Sequence, residues 1–167
     1  MEIIVGKTAG FCFGVENAVS KAKEALQKEK VYCLGELVHN PQVTEDLKKS
    51  GIEFIDNIDK KIERPVIIRS HGESIDTYKK AKENNIELID LTCPKVLKTH
   101  KIAEEYAKKN YYIFLIGKTT HPETVATISY CGNLCTIIEN IKDVNIALEK
   151  LNKSRDKKLI SYFSNNL

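Results

Sequence analysis

Six side chains in this sequence have the types and spacing to act together: Cys12, Cys93, His39, His71, His121 and Glu123. Cys12 lies in the glycine-flanked stretch Gly10-Phe11-Cys12-Phe13-Gly14. From Val15 the apolar residues Val15, Ala18, Val19, Ala22, Ala25 and Leu26 fall at helical spacing. Cys12 is therefore expected in a turn at a helix N-terminus, where backbone N–H groups and the helix dipole favour an anion, and so a thiolate. A thiolate binds soft metal, with zinc and iron–sulfur clusters as its preferred partners, or attacks an electrophile. Cys93 precedes a second helical pattern in the same way. Three imidazoles beside helix starts suit a phosphate or diphosphate. Glu123, two residues after His121, puts a carboxyl group beside that pocket as an acid. Each residue also has a plainer reading: a buried turn cysteine, a polar loop histidine, a carboxylate favoured by the dipole of a helix's first turn. The combination is what argues for a site.

The elements that must position these residues alternate along the chain. Strands are expected at Ile3–Val5, Val31–Leu34, Ile52–Ile55, Pro65–Arg69, Ile86–Asp90, Tyr111–Gly117, Leu134–Ile138 and Lys158–Phe163. Helices are expected at Val15–Glu29, Pro41–Lys49, Ser74–Asn84, Lys95–Lys109, Pro122–Tyr130 and Asp143–Leu151. Such alternation gives an α/β fold with mainly parallel sheets flanked by helices. Pro41 and Pro122 suit first helical turns, and Gly51 and Gly132 suit the positions just past helix ends. In parallel sheets ligands bind outside the carboxyl ends of strands. His39, His71 and His121 lie at or just beyond such ends, so they and the two cysteines are expected to converge on one cleft. His100 falls inside a helix and reads as surface or packing. Cys33 lies in a strand and reads as core. Cys131 and Cys135, spaced C-x3-C, read as structural.

The sequence also repeats itself. Cys12 to His39 is 27 residues and Cys93 to His121 is 28. Each histidine follows a strand and a Gly-x3 spacer, Gly35 before His39 and Gly117 before His121. Both copies go on to a strand ending in an acid and Asn-Ile: Asp56-Asn57-Ile58 and Glu139-Asn140-Ile141. Residues 1–94 and 95–167 are thus expected to be two similar domains with four-stranded sheets. His71 precedes Cys93 by 22 residues, and the matching strand of the second copy leads into Ser164-Asn165-Asn166. A third cysteine would by that spacing fall beyond Leu167, which makes the chain two thirds of a pseudo-threefold protein.

At 167 residues, 42% hydrophobic and 29% charged, the composition is that of an ordinary globular protein. No apolar run is long enough to span a membrane, and no secretory signal opens the chain. A cytoplasmic location is expected, where thiols stay reduced and five cysteines are not a disulfide framework. A net charge of +3 with scattered lysines suits a small anion and gives no argument for nucleic acid. No G-x-G-x-x-G or P-loop motif occurs.

Taken in order, Ala9-Gly10-Phe11-Cys12-Phe13-Gly14-Val15, Val38-His39-Asn40-Pro41, Arg69-Ser70-His71-Gly72, Asp90-Leu91-Thr92-Cys93-Pro94 and His121-Pro122-Glu123 resemble 4-hydroxy-3-methylbut-2-enyl diphosphate reductase, the IspH/LytB family. The resemblance implies three similar α/β domains around a 4Fe–4S cluster held by one cysteine per domain. Cys12 and Cys93 would be two metal ligands, with the third cysteine absent from this chain. His39, His71 and His121 would surround the substrate's diphosphate and hydroxyl. Glu123 and His121 would be catalytic, with Glu123 as proton source. Ser164 and Asn166 would bind substrate where the family carries a threonine-rich stretch. The implied reaction is reductive removal of a hydroxyl from an allylic diphosphate, giving isopentenyl and dimethylallyl diphosphate in the non-mevalonate isoprenoid route. Electrons would come from a ferredoxin or flavodoxin to a monomeric enzyme. With two cysteines and two domains, this chain is expected to be inactive alone. Two rivals stay open on the residues: a zinc hydrolase or cysteine phosphatase using Cys12, and an α/β scaffold without reductase activity.

Overall fold

A computed structural model describes residues 2–4, 6, 9–58, 61–153 and 158–163. Its first half runs α1 (Phe13–Lys28), β1 (Tyr32–Leu34), α2 (Pro41–Ser50), β2 (Glu53–Ile55), β3 (Val66–Ile68), α3 (Ile75–Glu83) and β4 (Leu88–Asp90). The four strands form a parallel sheet in the order β2-β1-β3-β4. Side chains alternate across it. Cys33 and Ile67 point to the α1–α2 side, where Ala18, Ala22, Leu37 and Leu47 complete a core. Leu34, Val66 and Ile68 point to the other side, against Ala81 of α3 and Ile86. All three residues of β3 are buried, as a strand covered on both faces requires.

The second half runs α4 (Pro94–Lys108), β5 (Tyr111–Ile116), α5 (Pro122–Cys131), β6 (Cys135–Ile138), α6 (Ile141–Lys153) and β7 (Lys158–Phe163). Its strands are parallel in the order β6-β5-β7. That reproduces the strand order β2-β1-β3, so the repeat read from the sequence is also a repeat of strand topology, with α6 between β6 and β7 as an addition that the β2–β3 connection lacks. Tyr112, Phe114 and Ile138 pack with α6 on one face. Ile113 packs with Ala103 of α4 and Cys131 of α5 on the other.

Two expectations differ. The run at Ile3–Val5 is not a strand in its described part: Glu2–Ile4 have no regular structure, and Ile3 and Ile4 are 76% and 85% exposed. Three apolar residues form a strand only where a neighbour takes up their backbone groups, and no described strand pairs with them. The second sheet has three strands among the described residues rather than four, because β4 has no counterpart there.

Cys33 is core, and burial pushes its thiol up to about 12. Cys131 is buried, its thiol donates to Thr127 O at 3.5 Å, and it pairs with Cys135, so both serve packing. His100 is packing too, at 2% exposure. Among the described residues no helix is long and apolar enough to cross a membrane.

The two halves meet at α3 and α5. The Ile75 N–H donates to Ser129 Oγ at 2.9 Å, and Tyr130 Oη donates to Glu73 O at 3.4 Å.

Candidate functional site

The carboxyl ends of β1, β3 and β5 lead into three loops, and each loop carries one histidine of a cluster. After β1 the chain reaches His39 just before α2. Asn40 caps that helix, its Oδ1 accepting the N–H groups of Gln42 at 3.1 Å and Val43 at 3.2 Å, and Pro41 fills the first helical position. The cap is satisfied without His39, whose ring stays exposed.

After β3, Ser70 ties the chain to the β1 loop. Its hydroxyl donates to Leu37 O at 2.9 Å and its N–H to the same oxygen at 3.2 Å. The next residue is His71, and Gly72 turns the chain at φ +76°, a conformation that favours glycine. Arg69 and Glu73 close the turn with a 2.7 Å ion pair.

After β5, His121 is itself the cap of α5. Its Nδ1 accepts the Glu123 N–H at 3.2 Å. With Nδ1 accepting, the proton of the neutral ring sits on Nε2, which is then a donor.

The three rings converge. His39 and His71 centroids lie 4.1 Å apart, His39 and His121 5.3 Å, and His71 and His121 5.7 Å. Burial, then the neighbouring His39 and His121 rings and the Arg69 guanidinium, pushes His71 down to about 4. Burial first and then His39, Lys118 and Arg69 lower His121 as well. One nitrogen from each ring can come within 4.8 Å of the others, close enough to consider a cation. The capping bond of His121 argues against that, because it leaves the proton on the other ring nitrogen. Imidazole N–H groups beside Arg69 and two helix N-termini are the chemistry of an anion site.

The cysteines open on the same place. Cys12 caps α1 and Cys93 caps α4, and neither thiol takes part in its cap. The Cys93 N–H donates to Ser70 O at 2.9 Å, which binds the second cysteine to the His71 turn. Asp90 Oδ1 accepts the Thr92 N–H at 3.0 Å and fixes the approach to Cys93. A Cβ on Gly14 would meet Cys93 Sγ at 2.6 Å, so the first turn of α1 accepts that thiol only because residue 14 is glycine. Cys12, Cys93, His71 and Glu123 all line one cavity of about 290 Å³, with Gly14, Ser70 and Lys95 among its other walls. Glu123 is 4% exposed, so its carboxyl is turned into the molecule and not into solvent as a first-turn charge would be.

Two thiols free of capping bonds, a cavity between them and a bare glycine α-carbon beside one sulfur suit part of an iron–sulfur cluster. They would supply two thiolate ligands; the other cysteines are core or paired. The structure thus brings together six of the eight residues expected to form the site. Ser164 and Asn166 lie outside the described residues. Sequence reasoning missed Gly14 as clearance for Cys93, Ser70 as the bridge between the His71 and Cys93 loops, and Lys95 as a cavity wall. Gly14 and Ser70 stand inside the motifs, but motif position carries no information on which side chain approaches them.

Residues 3–164 match the LytB protein family. A 4-hydroxy-3-methylbut-2-enyl diphosphate reductase of Alkaliphilus oremlandii is 42% identical over 148 residues, covering 87% of this chain and 53% of the relative. That of Aquifex aeolicus is 35% identical, covering 89% and 53%. The E-1-hydroxy-2-methyl-but-2-enyl-4-diphosphate reductase structure from Plasmodium falciparum superposes with a TM-score of 0.87 at 34% identity, covering 96% of this chain and 50% of that one. The chain spans about half the length of these curated relatives. With its fold, its motifs and nearly its whole length accounted for, the chain belongs to the LytB family.

Proposed function

We propose that this chain provides the two cysteine- and histidine-bearing repeats, residues 1–94 and 95–167, of a 4-hydroxy-3-methylbut-2-enyl diphosphate reductase. The observation that carries this is the single cavity shared by Cys12, Cys93, His71 and Glu123 with the histidine cluster at its side. The overall reaction replaces an allylic C–OH by C–H and consumes two electrons and two protons, with water leaving. A 4Fe–4S cluster, when bound, supplies the electrons and a Lewis-acid iron. Cys12 and Cys93 would be two of its thiolate ligands, and a third repeat would supply the remaining cysteine and close the cleft.

The diphosphate lies against His39, His71 and His121. His121 donates from Nε2, because Nδ1 is engaged by the Glu123 N–H. His71 is held neutral by burial and donates from one ring nitrogen without first taking up a proton. Arg69 behind them adds positive charge without touching solvent freely, being paired to Glu73. Glu123 stands at the cavity wall two residues from His121, placed to give a proton to the departing hydroxyl. Electrons arrive from a one-electron carrier of the ferredoxin or flavodoxin class, and the enzyme works as a cytoplasmic monomer.

Anaerobic loading with iron and sulfide, in a chain extended through a third repeat, tests the reading. Cys12→Ser and Cys93→Ser are each expected to abolish the broad visible absorbance of a thiolate-bound cluster, whereas Cys33→Ser leaves it. A full cluster spectrum in Cys93→Ser would overturn the assignment, and zinc-dependent activity without iron would favour a hydrolase.

A further inference from the structure

We propose that His100 is a positioning residue for His71: its ring is the floor on which the Gly72 turn rests. The positioning stands on geometry alone; its consequence for diphosphate binding rests on the function proposed above.

His100 lies in the middle of α4, in the second half of the chain, yet the turn it supports belongs to the first half. Its ring is 2% exposed and stacks on Tyr130 at 4.5 Å between centroids, with 17° between the planes. Gly72 packs against the same ring. A Cβ there would lie 2.7 Å from His100 Cε1 and 3.5 Å from Nδ1, so backbone and ring are in direct contact. Neither ring nitrogen has a protein hydrogen-bond partner. A buried imidazole normally is part of a polar network, and one with no such bond calls for an explanation. No bond ties this ring to α4 or to a neighbour, so it acts through shape, on Gly72 and on Tyr130.

The turn needs such a floor. Its upstream side is anchored to the β1 loop by the two bonds from Ser70 to Leu37 O. Arg69 and Glu73 bracket it, and Tyr130 Oη reaches Glu73 O at 3.4 Å. Those contacts fix the ends. Gly72, at φ +76°, closes the turn with its N–H donating to Arg69 O at 3.0 Å, and the ring of His100, with Thr92 beside it, fills the space where a side chain would stand. His71 is the neighbour that would swing with Gly72. The second repeat thereby sets the direction of an imidazole carried by the first.

The test is side-chain NMR of this 167-residue chain, following the ¹⁵N-imidazole signals of His39, His71 and His121 at fixed pH. A titration with inorganic pyrophosphate and a melting curve accompany it. His100→Ala is expected to move or broaden the His71 signals and to weaken pyrophosphate about tenfold, the low end of what partners that orient a site's histidines contribute. His100→Phe, which keeps a flat ring, is expected to restore both. Unchanged His71 signals in a folded His100→Ala, with only the melting temperature lowered, would overturn the proposal. If His100→Ala does not fold, Tyr130→Leu removes the stack from the other side. It must displace the His71 signals in the same way, and unchanged signals there are equally fatal. Displaced His71 signals in a chain whose wild type binds no pyrophosphate would sink the diphosphate reading and leave the positioning role standing.

Discussion

The first and second repeats share strand order and cysteine placement, yet they use the matching positions differently. From the end of β1 to Pro41 there are six residues, 35–40; from the end of β5 to Pro122 there are five, 117–121. That one residue decides what each histidine can do. In the longer loop Asn40 takes the cap, and His39 is left outside it with a free ring. In the shorter loop His121 must be the cap, and its Nδ1 is committed to the Glu123 N–H. The second helical position is Gln42, exposed, in the first repeat and Glu123, buried at 4% exposure, in the second. Two residues past each cysteine stand Gly14 and Lys95, and seven past stand Val19 and His100. The two repeats thus share a strand order and differ in their side chains: the first places Gly14 against the second's thiol and leaves the His39 ring outside its cap, the second buries Glu123 and commits His121 Nδ1 to its cap.

That difference can be attacked position by position. The largest effect is expected at Glu123. Glu123→Gln gives the second repeat the side chain that the first already has at that place. In a chain completed by a third repeat, turnover should fall by about 10²–10⁴-fold, the range for a positioned acid, with substrate affinity and the cluster spectrum kept. Steady-state rates with a chemical reductant check this, and near-normal turnover would return Glu123 to the role of a first-turn carboxylate.

Part of the pH dependence of stability should come from the second repeat's His100, alongside the first repeat's His71, which burial also holds down to about 4. Burial lowers His100 from an ordinary 6.5 to about 4, with Asp90 pulling weakly the other way and Tyr130 facing the ring. Above pH 6.5 the ring is neutral folded and unfolded alike. As pH falls the unfolded chain takes up the proton first, so stability declines from 6.5 toward about 4. At about 1.36 kcal/mol per pH unit the decline reaches about 3 kcal/mol. Denaturant melts across that window should show a shallower decline in His100→Phe; an identical slope would mean the ring is not held neutral.

Gly14→Ala asks whether the glycine of the first repeat is clearance for the cysteine of the second. The added Cβ would lie 2.6 Å from Cys93 Sγ, and overpacking of this kind costs about 1–3 kcal/mol. Gly10→Ala has open space for its Cβ and tests backbone conformation alone, at φ +152°. The smallest effect is expected at the caps. Asn40→Ala should cost about 1 kcal/mol and leave the histidine cluster in place. His121→Ala should cost about as much in stability and also remove a donor from the anion site, which pyrophosphate titration would show.

Much of this was legible in the residues. The strand and helix patterns, the Gly-x3-His register and the two cysteines before helices were enough to place six site residues around one cleft. What stayed hidden was tertiary. Ile3–Val5 looks like a strand because local pattern does not say whether a neighbour exists. The one-residue difference between loops is present in the sequence, but its effect on capping follows only once the helix starts are known. His100 sits at a position that a helical pattern leaves undecided, and nothing local says that Tyr130 and Gly72 close around it. Gly14 shows the same limit: a missing side chain matters because of an atom 79 residues away, Cys93 Sγ.

The central claim is that matching cysteines of two repeats face each other across one cavity, and thiol cross-linking of this chain tests it most directly. Cys12 is exposed and Cys93 half-buried, whereas Cys33 and Cys131 are buried. A short bifunctional thiol reagent applied to the folded chain, followed by peptide mapping, should join Cys12 to Cys93 within one molecule. The link should be lost in Cys12→Ser and Cys93→Ser and kept in Cys33→Ser. Separate single modification of Cys12 and Cys93, with no intramolecular link between them, would contradict the account.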